Sequence, residues 1–460
     1  MLNATKAQEA VRALLDTHVA ERRIFDNIHE YMIPWDTETA VRRVGITLTS
    51  KNRKRHEELA RMSAAPFVAL VVDTYSQSLK VDGFYSSAGV RADSWQWWQR
   101  NKMSARQTGL HRAALTYGTA YASVMPAAAG AVRIGVHSPR KMVTYYADSF
   151  GVPGIPTSDE YPMLALEVGR RHLRLFDEEF VYYFGVEHQP LSVEGWLDKA
   201  YYSPVNLPFI EAYPHDMGVV PIVRYQDRML ADGEERRGIV EHLLGLQDRI
   251  NCTNYEQGVA QYFAAFKQRY VTGWMPDSEA EAFKQSVADT QFFKDTDVKV
   301  GQYDETDLER YISSRQASVR DFAALAQVPA QSLGANAISN ISADGLAALE
   351  TSKDRQASEI QTSFSESHEQ LLRLCSHTVG DEAGASDFDS EVKWEETSAR
   401  SFAQTIDGLG KLATMLGIPA EELWSDIPGW TRERVERARS ARQSNNDGDP
   451  GIISDDSPPN

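Results

Sequence analysis

The 460-residue sequence has few cysteines and no long apolar run. Its two cysteines, Cys252 and Cys375, cannot build a disulfide framework or a zinc cluster, and their helix-like surroundings predict buried free thiols. The longest apolar stretch, residues 65–72, is far shorter than the roughly 20 residues that span a bilayer. Residues 1–23 are charged and amphipathic and lack the apolar core of a signal peptide. These absences predict a soluble protein from a reducing compartment, with no membrane partner.

Positive charge is also scarce. The chain has 48 Lys and Arg residues against 65 Asp and Glu residues, a net charge of −17 and an isoelectric point near 5.2. A surface that grips nucleic acid tightly needs Lys and Arg to replace the counterions of the phosphates, so this balance argues against tight binding over the whole surface. The same charge balance is compatible with a protein that contacts DNA without binding it tightly.

Motifs of catalytic and metal sites are incomplete. Gly410-Lys411 resembles the end of a phosphate-binding loop, but Leu412 stands where Ser or Thr would bind Mg²⁺. Three His-Glu pairs begin a zinc motif, yet each lacks the second histidine four positions later: His29, His56 and His368. Asp295 and Asp297 are an acidic pair with no supporting constellation. The sequence therefore favours a structural or binding protein over an enzyme, and predicts neither a metal site nor a cofactor.

The first part of the chain, to about residue 222, contains both helix-like and strand-like patterns of apolar residues. Helices are predicted over 5–32, 52–80 and 93–118. Trp95, Trp97 and Trp98 open the third helix, and without interleaved basic residues we expect them in a core or an interface. Strands are predicted in "YASVMPA", "VRIGVHS", "MVTYYAD", "LALEVGRRHLRLFD" and "EFVYYFG".

Long helical patterns dominate from about residue 234 onward. An amphipathic helix over 236–266 would be about 46 Å long at 1.5 Å per residue. A compact insert, 268–305, has strands in "RYVTG" and "VKVGQYD" and an acidic helix near 277–288. A second helix, 306–328, ends before Pro329, because the residue before proline disfavours the α region. A neutral loop of small polar residues, a helix over about 343–378 and two shorter helical patterns follow.

Several segments, taken in order and spacing, carry a resemblance to a known family. They are "VVDTYSQSLKVDGF" (71–84), Trp98 and Asn101, "ALTYGTAYASV" (114–124), "GVVPIVRYQDR" (218–228), "GIVEHLLGLQDRIN" (238–251), "FAALAQVPAQSLG" (322–334) and "NISADGLAALE" (340–350). Together they resemble the Gp6-like portal proteins of tailed bacteriophages, over about residues 21–374.

The resemblance implies a mainly helical α+β portal fold. On this chain its parts would be a mixed α/β wing (1–235), a first stem helix (236–267), a clip (268–305), a second stem helix (306–328), a tunnel loop (329–341), a long wing helix (342–378), a crown (379–444) and a disordered tail (445–460). Such subunits assemble head to tail into a ring, dodecameric in the capsid.

The resemblance also implies a function and partners. A portal ring forms the channel at one capsid vertex, through which the large terminase packages double-stranded DNA and through which the DNA is later ejected. Head-tail adaptor, major capsid and scaffolding proteins would be its partners, and it would assemble in the host cytoplasm before residing in the virion. The alternatives are a head-tail adaptor, a minor capsid protein or a metal-dependent nuclease using Asp295 and Asp297. An adaptor of this size would not need the helix–insert–helix–loop–helix order.

The candidate site residues follow from these roles. Small side chains would let several copies of the tunnel loop crowd around an axis, and neutral polar groups would contact phosphate or water without a fixed charge: Ser332, Gly334, Asn336, Ser339 and Asn340. Basic residues of the clip and the end of the stem would give shallow DNA contacts: Lys267, Arg269, Lys284, Lys294 and Lys299. Stem arginines Arg310, Arg315 and Arg320 are further candidates. The alternatives are an ordinary surface turn for the loop and a surface ion pair for each basic residue.

Overall fold

The computed structural model describes residues 2–46, 53–86, 92–146, 161–169, 172–186, 206–228, 238–264, 269–272, 299–302, 307–334, 343–395, 402–424, 427, 430 and 432–446. The chain forms two compact units. The first unit comprises Met1–Ile341 and Glu350–Glu395, and the second comprises Ser342–Leu349 and Glu396–Asn460.

Helices occur along the whole described chain. They are α1 (Ala4–Glu30), α2 (Thr37–Val44), α3 (Arg53–Ser63), α4 (Phe67–Gln77), α5 (Trp95–Arg100), α6 (Met103–Tyr117), α7 (Leu244–Ala264), α8 (Leu308–Leu325), α9 (Ala343–Thr378), α10 (Glu382–Ala385), α11 (Phe402–Leu416), α12 (Ala420–Leu423) and α13 (Arg432–Asn446). Among the helices of the described residues, none has the length and apolar character to cross a bilayer.

The strands pair antiparallel throughout the described residues. They are β1 (Val81–Tyr85), β2 (Thr119–Ala127), β3 (Ala131–His137), β4 (Met142–Tyr145), β5 (Leu164–Val168), β6 (His172–Phe176), β7 (Phe180–Gly185), β8 (Phe209–Pro214), β9 (Ile222–Gln226), β10 (Arg269–Thr272), β11 (Lys299–Gln302) and β12 (Glu391–Trp394). A five-stranded sheet has the order β4-β5-β6-β7-β8, a three-stranded sheet has the order β3-β2-β9, and β1-β12 and β10-β11 form two-stranded ribbons.

Alternating side chains explain the five-stranded sheet. In β6, Leu173 and Leu175 are buried while His172 is exposed, and the face they share packs against α1 through Val11 and Leu15. Helix α1 therefore covers one face of this sheet. The predicted strands are confirmed, with one refinement: "LALEVGRRHLRLFD" contributes two paired strands, β5 and β6.

The main core lies between the helices and the three-stranded sheet. Trp95, Trp97 and Trp98 are buried there, and the rings of Trp95 and Trp98 stack with centroids 5.0 Å apart. Their predicted core role is confirmed. Cys375 is a fully buried free thiol as expected, whereas Cys252 is only half-buried.

A buried chain of hydrogen bonds joins β9, α9 and α6. The Tyr225 hydroxyl lies 2.9 Å from Nδ1 of His368, Nε2 of His368 lies 2.9 Å from Nε2 of His111, and Nδ1 of His111 lies 3.0 Å from the Leu79 carbonyl oxygen. The carbonyl only accepts, so His111 must donate from Nδ1 and accept at Nε2. His368 then donates from Nε2 and accepts the Tyr225 proton at Nδ1. Two neutral imidazoles satisfy this arrangement, and a proton on Nε2 of His111 would break it.

Several observed boundaries differ from the expected ones. The patterns over 52–80 and 93–118 each contain two helices, and the helix predicted over 306–328 ends at Leu325. The helix predicted over 236–266 is preceded by a 3₁₀ turn, Glu241–Leu243, and begins at Leu244. Its predicted start fails because Gly238 has a φ of +80°, and the next N–H donates to the Leu115 carbonyl oxygen at 2.9 Å. Strand β12 lies within the range expected for the crown, yet it pairs with β1 in the first unit.

The second unit contains α11, α12 and α13. Trp424 and Trp430 lie with ring centroids 6.2 Å apart, and the guanidinium groups of Arg442 and Arg434 lie over them. Arg442 also pairs with Glu421 at 2.8 Å. These contacts join α13 to the segment that contains α12. The helical patterns predicted after residue 379 are confirmed here.

Candidate functional site

The two helices expected to form the stem, α7 and α8, pack against each other. Arg315 of α8 donates from Nε to Oδ1 of Asn254 on α7 at 2.9 Å. His242, just before α7, lies 3.4 Å from the Leu325 carbonyl oxygen at the end of α8. Val319 and Phe322 of α8 are buried in the main core. Helix α8 therefore has the buried apolar side that its predicted amphipathicity requires. Helix α7 differs from its prediction, because its buried positions are mostly polar: Gln247, Asn251 and Thr253.

Helix α7 supplies the N-terminal cap of α4. Pro66 precedes α4 and gives no side-chain cap. Instead, Oδ1 of Asn251 accepts the Ala65 N–H at 3.0 Å, and Oε1 of Gln247 accepts the Val68 N–H at 3.2 Å. The Gln247 amide also donates to Asn251 at 3.0 Å, which fixes both side chains. One unsatisfied donor of the helix start, the Val68 N–H, and the Ala65 N–H just before the helix thus bind side chains of the stem.

Further contacts hold α7 against α1 and α3. The Tyr31 hydroxyl donates to Oδ2 of Asp248 at 2.7 Å, and burial is the main reason that the Tyr31 pKa is raised. Nδ1 of His56 lies 2.7 Å from the Tyr255 hydroxyl. Asn254 donates to the Ser63 carbonyl oxygen at 2.9 Å. Hydrogen bonds from residues 247–255 of α7 therefore hold this helix against α1, α3 and the start of α4.

The insert between the stem helices is described at its two strands. β10 and β11 pair with Arg269 opposite Gln302 and Thr272 opposite Lys299, which confirms the two predicted strands. Arg269 and Lys299 thus belong to opposite ends of the ribbon, about 10 Å apart at 3.4 Å per residue. Lys299 is exposed. Three further basic candidates lie outside the described residues, as does the acidic helix predicted near 277–288: Lys267, Lys284 and Lys294.

The described stem arginines have local partners. Arg310, with a side chain 87% exposed, pairs with Asp307 at 3.0 Å, and Asp307 also caps α8 by accepting the Glu309 N–H. Arg315 is bonded to Asn254. Arg320 also has a polar or charged partner. The Arg310 contact is a surface ion pair, as in the alternative, whereas the partner of Arg315 is a neutral amide.

The start of the expected tunnel loop is packed on the core. Ala326, Val328 and Leu333 are buried in the main cluster, and Ala330–Leu333 form a 3₁₀ turn. Gly334 is exposed with a φ of +76°, a conformation that glycine adopts without strain. Ser332 is exposed beside it. The remaining candidates lie outside the described residues: Asn336, Ser339 and Asn340.

Metal-binding groups do not converge in the described part of the chain. No set of three or more His, Cys, Asp or Glu side chains there is arranged to hold a metal ion. Asp295 and Asp297 lie outside the described residues.

Comparison with known proteins assigns the chain to a family. The family model described as phage portal protein, SPP1 Gp6-like, matches residues 28–448. The chain belongs to this family of phage portal proteins. The portal protein of Mycobacterium phage L5 is 24% identical over 433 residues, which cover 88% of this chain and 83% of that protein. The portal protein of Mycobacterium phage D29 is 22% identical over 392 residues, which cover 80% and 77%. The expected family and the α+β fold class are confirmed, and the family is a structural one.

Solved structures give a more distant likeness. One is a chain in the neck of an empty gene transfer agent (GTA) particle, computed with C6 symmetry. Its sequence is 13% identical, the TM-score is 0.48, and the match covers 86% of this chain and 94% of that one. A chain in the neck of a native GTA particle, computed with C12 symmetry, is 13% identical with a TM-score of 0.47, covering 81% and 91%.

Sequence reasoning missed the side chains that anchor the stem. Gln247 and Asn251 lie four positions apart on one face of α7, in a stretch rich in polar residues. Their spacing marks a shared face, but nothing local shows that the start of another helix lies opposite. The signal in the sequence was a Gln and an Asn four positions apart on a predicted helix, and their burial is seen only in the structure.

Proposed function

We propose that this chain forms the ring-shaped channel at one capsid vertex, through which double-stranded DNA is packaged by the large terminase and later ejected. The observation that carries the proposal is the family match over residues 28–448. The order of the described elements supports it: a helix, a strand-ended insert, a second helix, a turn and a long helix follow one another from Leu244 to Thr378.

The chain acts in this proposal as a conduit and a docking platform, without catalytic activity. Its partners are other copies in a dodecameric ring, the passing DNA, the terminase, a head-tail adaptor, and the major capsid and scaffolding proteins. The ring assembles in the host cytoplasm and resides at the portal vertex of the virion. Ring closure needs two different complementary faces on every subunit.

The parts of the subunit follow the described elements. Helices α7 and α8 form the stem, the segment that includes β10 and β11 forms the clip, and 329–341 forms the tunnel loop. We place the start of the crown after Glu395, because β12 pairs with β1 and because Glu395 belongs to the first unit. The wing then comprises α1 to α6, β1 to β9, the part of α9 in the first unit, α10 and β12.

Charge supports a channel that does not hold its cargo. The net charge of −17 repels DNA within a Debye length of about 8–10 Å. Arg310 and Arg315 have partners within the subunit, which reduces their availability to phosphate. A neutral tunnel loop would contact DNA and release it without the salt-sensitive affinity of Lys or Arg contacts.

Images of the purified oligomer test the ring. Negative-stain images should show rings with a central hole and rotational symmetry. A chain that stays monomeric at high concentration, with and without capsid partners, would contradict the proposal.

Loop variants test the channel role. We expect Asn336→Asp with Asn340→Asp to leave rings intact and to lower the amount of DNA packaged per capsid severalfold, because carboxylates at a constriction repel phosphate. The control is Gln96→Glu with Gln99→Glu, which adds the same charge on exposed positions of α5. Normal packaging by the loop variant would reduce the loop to a simple connector.

A further inference from the structure

One hydroxyl group contacts both flanks of the expected tunnel loop. Tyr75 of α4 is fully buried, and its hydroxyl oxygen lies 2.9 Å from the Ala326 carbonyl oxygen and 3.3 Å from that of Gln327. The same oxygen lies 2.5 Å from Oε1 of Gln356. Ala326 and Gln327 directly follow α8, whereas Gln356 lies within α9. Gln356 is 15 positions after Ile341, the last residue of the expected loop (356 minus 341). Tyr75 therefore joins the end of α8, the entry flank, to the part of α9 around Gln356, the exit flank.

The entry flank is a strained helix end. The Val328 N–H donates to the Ala323 carbonyl oxygen at 3.0 Å, which closes α8 with the residue before Val328 in the left-handed region. That residue is Gln327, with a φ of 54°. Glycine usually occupies this place, since a side chain there is unfavourable. The neighbouring carbonyls at this helix end are the ones that Tyr75 contacts.

The exit flank depends on the Gln356 amide. A phenol has a single proton and donates to one oxygen at a time, so Tyr75 cannot donate to all three acceptors. Turning the Gln356 amide by 180° would present an N–H to the Tyr75 oxygen, while the Tyr75 proton goes to Ala326. Burial raises the Tyr75 pKa, so the group remains a neutral phenol with one proton. In this arrangement each flank is bonded to the hydroxyl.

We propose that Tyr75 is a positioning residue that fixes the end of α8 relative to α9 at Gln356, so that the two helices beside the tunnel loop keep their places during DNA passage. This inference rests on the proposed function. A tyrosine that only fills the core would use its ring, and phenylalanine would serve equally well. The proposed role of Tyr75, called the clamp below, needs the hydroxyl, because the hydroxyl contacts α9 and the residues that follow α8 at the same time.

Backbone amide exchange of the purified chain separates the two roles. We expect Tyr75→Phe to speed exchange about five- to tenfold in residues 326–334 and in the part of α9 near Gln356, the size expected from one lost buried hydrogen bond. Tyr182→Phe is the matched control, since that hydroxyl is also buried but donates to Asp177 at 2.7 Å in the five-stranded sheet. Unchanged exchange near the loop, or an equal change in both variants, would overturn the clamp.

A second variant tests the exit flank alone. Gln356→Leu removes the amide and keeps a side chain of similar size, so exchange should rise around position 356 and stay unchanged at 326–328. Equal acceleration at both places would show general loosening and overturn the assignment.

DNA packaging by capsids carrying Tyr75→Phe completes the test. We expect intact rings and a severalfold lower packaging rate. Faster exchange with normal packaging would overturn the role of Tyr75 in DNA passage. The Asn336 and Asn340 variants would then still test the portal proposal on their own, because they leave the clamp untouched.

Discussion

Mild acid should destabilise the first unit through its buried histidines. The perturbation is a change from pH 7.5 to pH 5. Burial lowers the pKa of His111 to about 4, and burial together with the neighbouring His111 lowers that of His368. A proton on Nε2 of His111 would place two N–H groups against each other across the 2.9 Å between His111 and His368. The folded state therefore resists protonation.

The magnitude follows from the difference between the folded and unfolded pKa values. Unfolded His111 titrates near 6.5, so below that pH the unfolded state binds more protons than the folded state, and stability falls as the pH falls. The full stability is present above pH 6.5 and decreases down to about pH 4. For His111 the loss is roughly 2 kcal/mol at pH 5 and roughly 3 kcal/mol at pH 4. His368 contributes in the same direction, and so does buried His18, whose pKa burial also lowers to about 4.

Urea unfolding at fixed protein concentration, at pH 7.5 and pH 5, measures this loss. The comparison is between the wild type and His111→Gln with His368→Gln, because carboxylates and His18 contribute equally to both. We expect the double variant to lose at least about 2 kcal/mol less between the two pH values. The control is His172→Gln, at an exposed position of β6. Equal pH dependence in the wild type and the double variant would refute the reasoning.

Two further predictions concern the attachment of α7. Gln247→Ala and Asn251→Ala should each lower the free energy of unfolding by about 1–2 kcal/mol in urea titrations, because the first leaves the Val68 N–H of α4 and the second the Ala65 N–H just before α4 without an acceptor. Exposed Gln261→Ala on the same helix should change it little, and equal effects would contradict this role. Gly238→Ala should cost roughly 3 kcal/mol or more, because its φ is +80° and a Cβ would lie 2.2 Å from the Leu115 carbonyl oxygen. Gly245→Ala adds a Cβ with nothing within 4 Å of it, so it should raise the free energy of unfolding by up to about 1 kcal/mol. Similar melting curves for the Gly238 and Gly245 variants would contradict this prediction.

Patterns within the chain predicted much of the fold. The alternation in "EFVYYFG" gave β7, and the helical spacing after residue 342 gave α9 with its observed ends, Ala343 and Thr378. Both elements show their periodicity in their own residues, although β7 is buried on both faces, with Val181 on one and Tyr182 and Phe184 on the other. The short helix α2 went unpredicted, since Ala40 is its one buried residue and eight mostly polar residues carry little apolar pattern.

Contacts between distant residues could not be predicted in this way. The delayed start of α7 depends on Leu115 lying against Gly238, and the anchoring of the loop depends on Tyr75 reaching α8 and α9. Nothing in the sequence near Tyr75 distinguishes a clamp from a core tyrosine. Of the ten candidate residues of the tunnel loop and the clip, the structure describes four. Ser332 and Gly334 belong to a packed turn, and Arg269 and Lys299 belong to opposite ends of a ribbon.

The ribbon of β1 and β12 has a consequence for synthesis of the chain. Val81 pairs with Trp394, 313 positions later (394 minus 81). At about 5–20 residues per second, a ribosome needs roughly 15–60 s to make the second strand after the first. During that time the nascent chain carries β1 without the partner strand of the finished fold, and unpaired strand edges are prone to aggregate. Strand β12, the last strand of the first unit to be synthesised, therefore covers the free edge of β1. A chain whose synthesis stops before residue 391 would leave that edge of β1 unpaired.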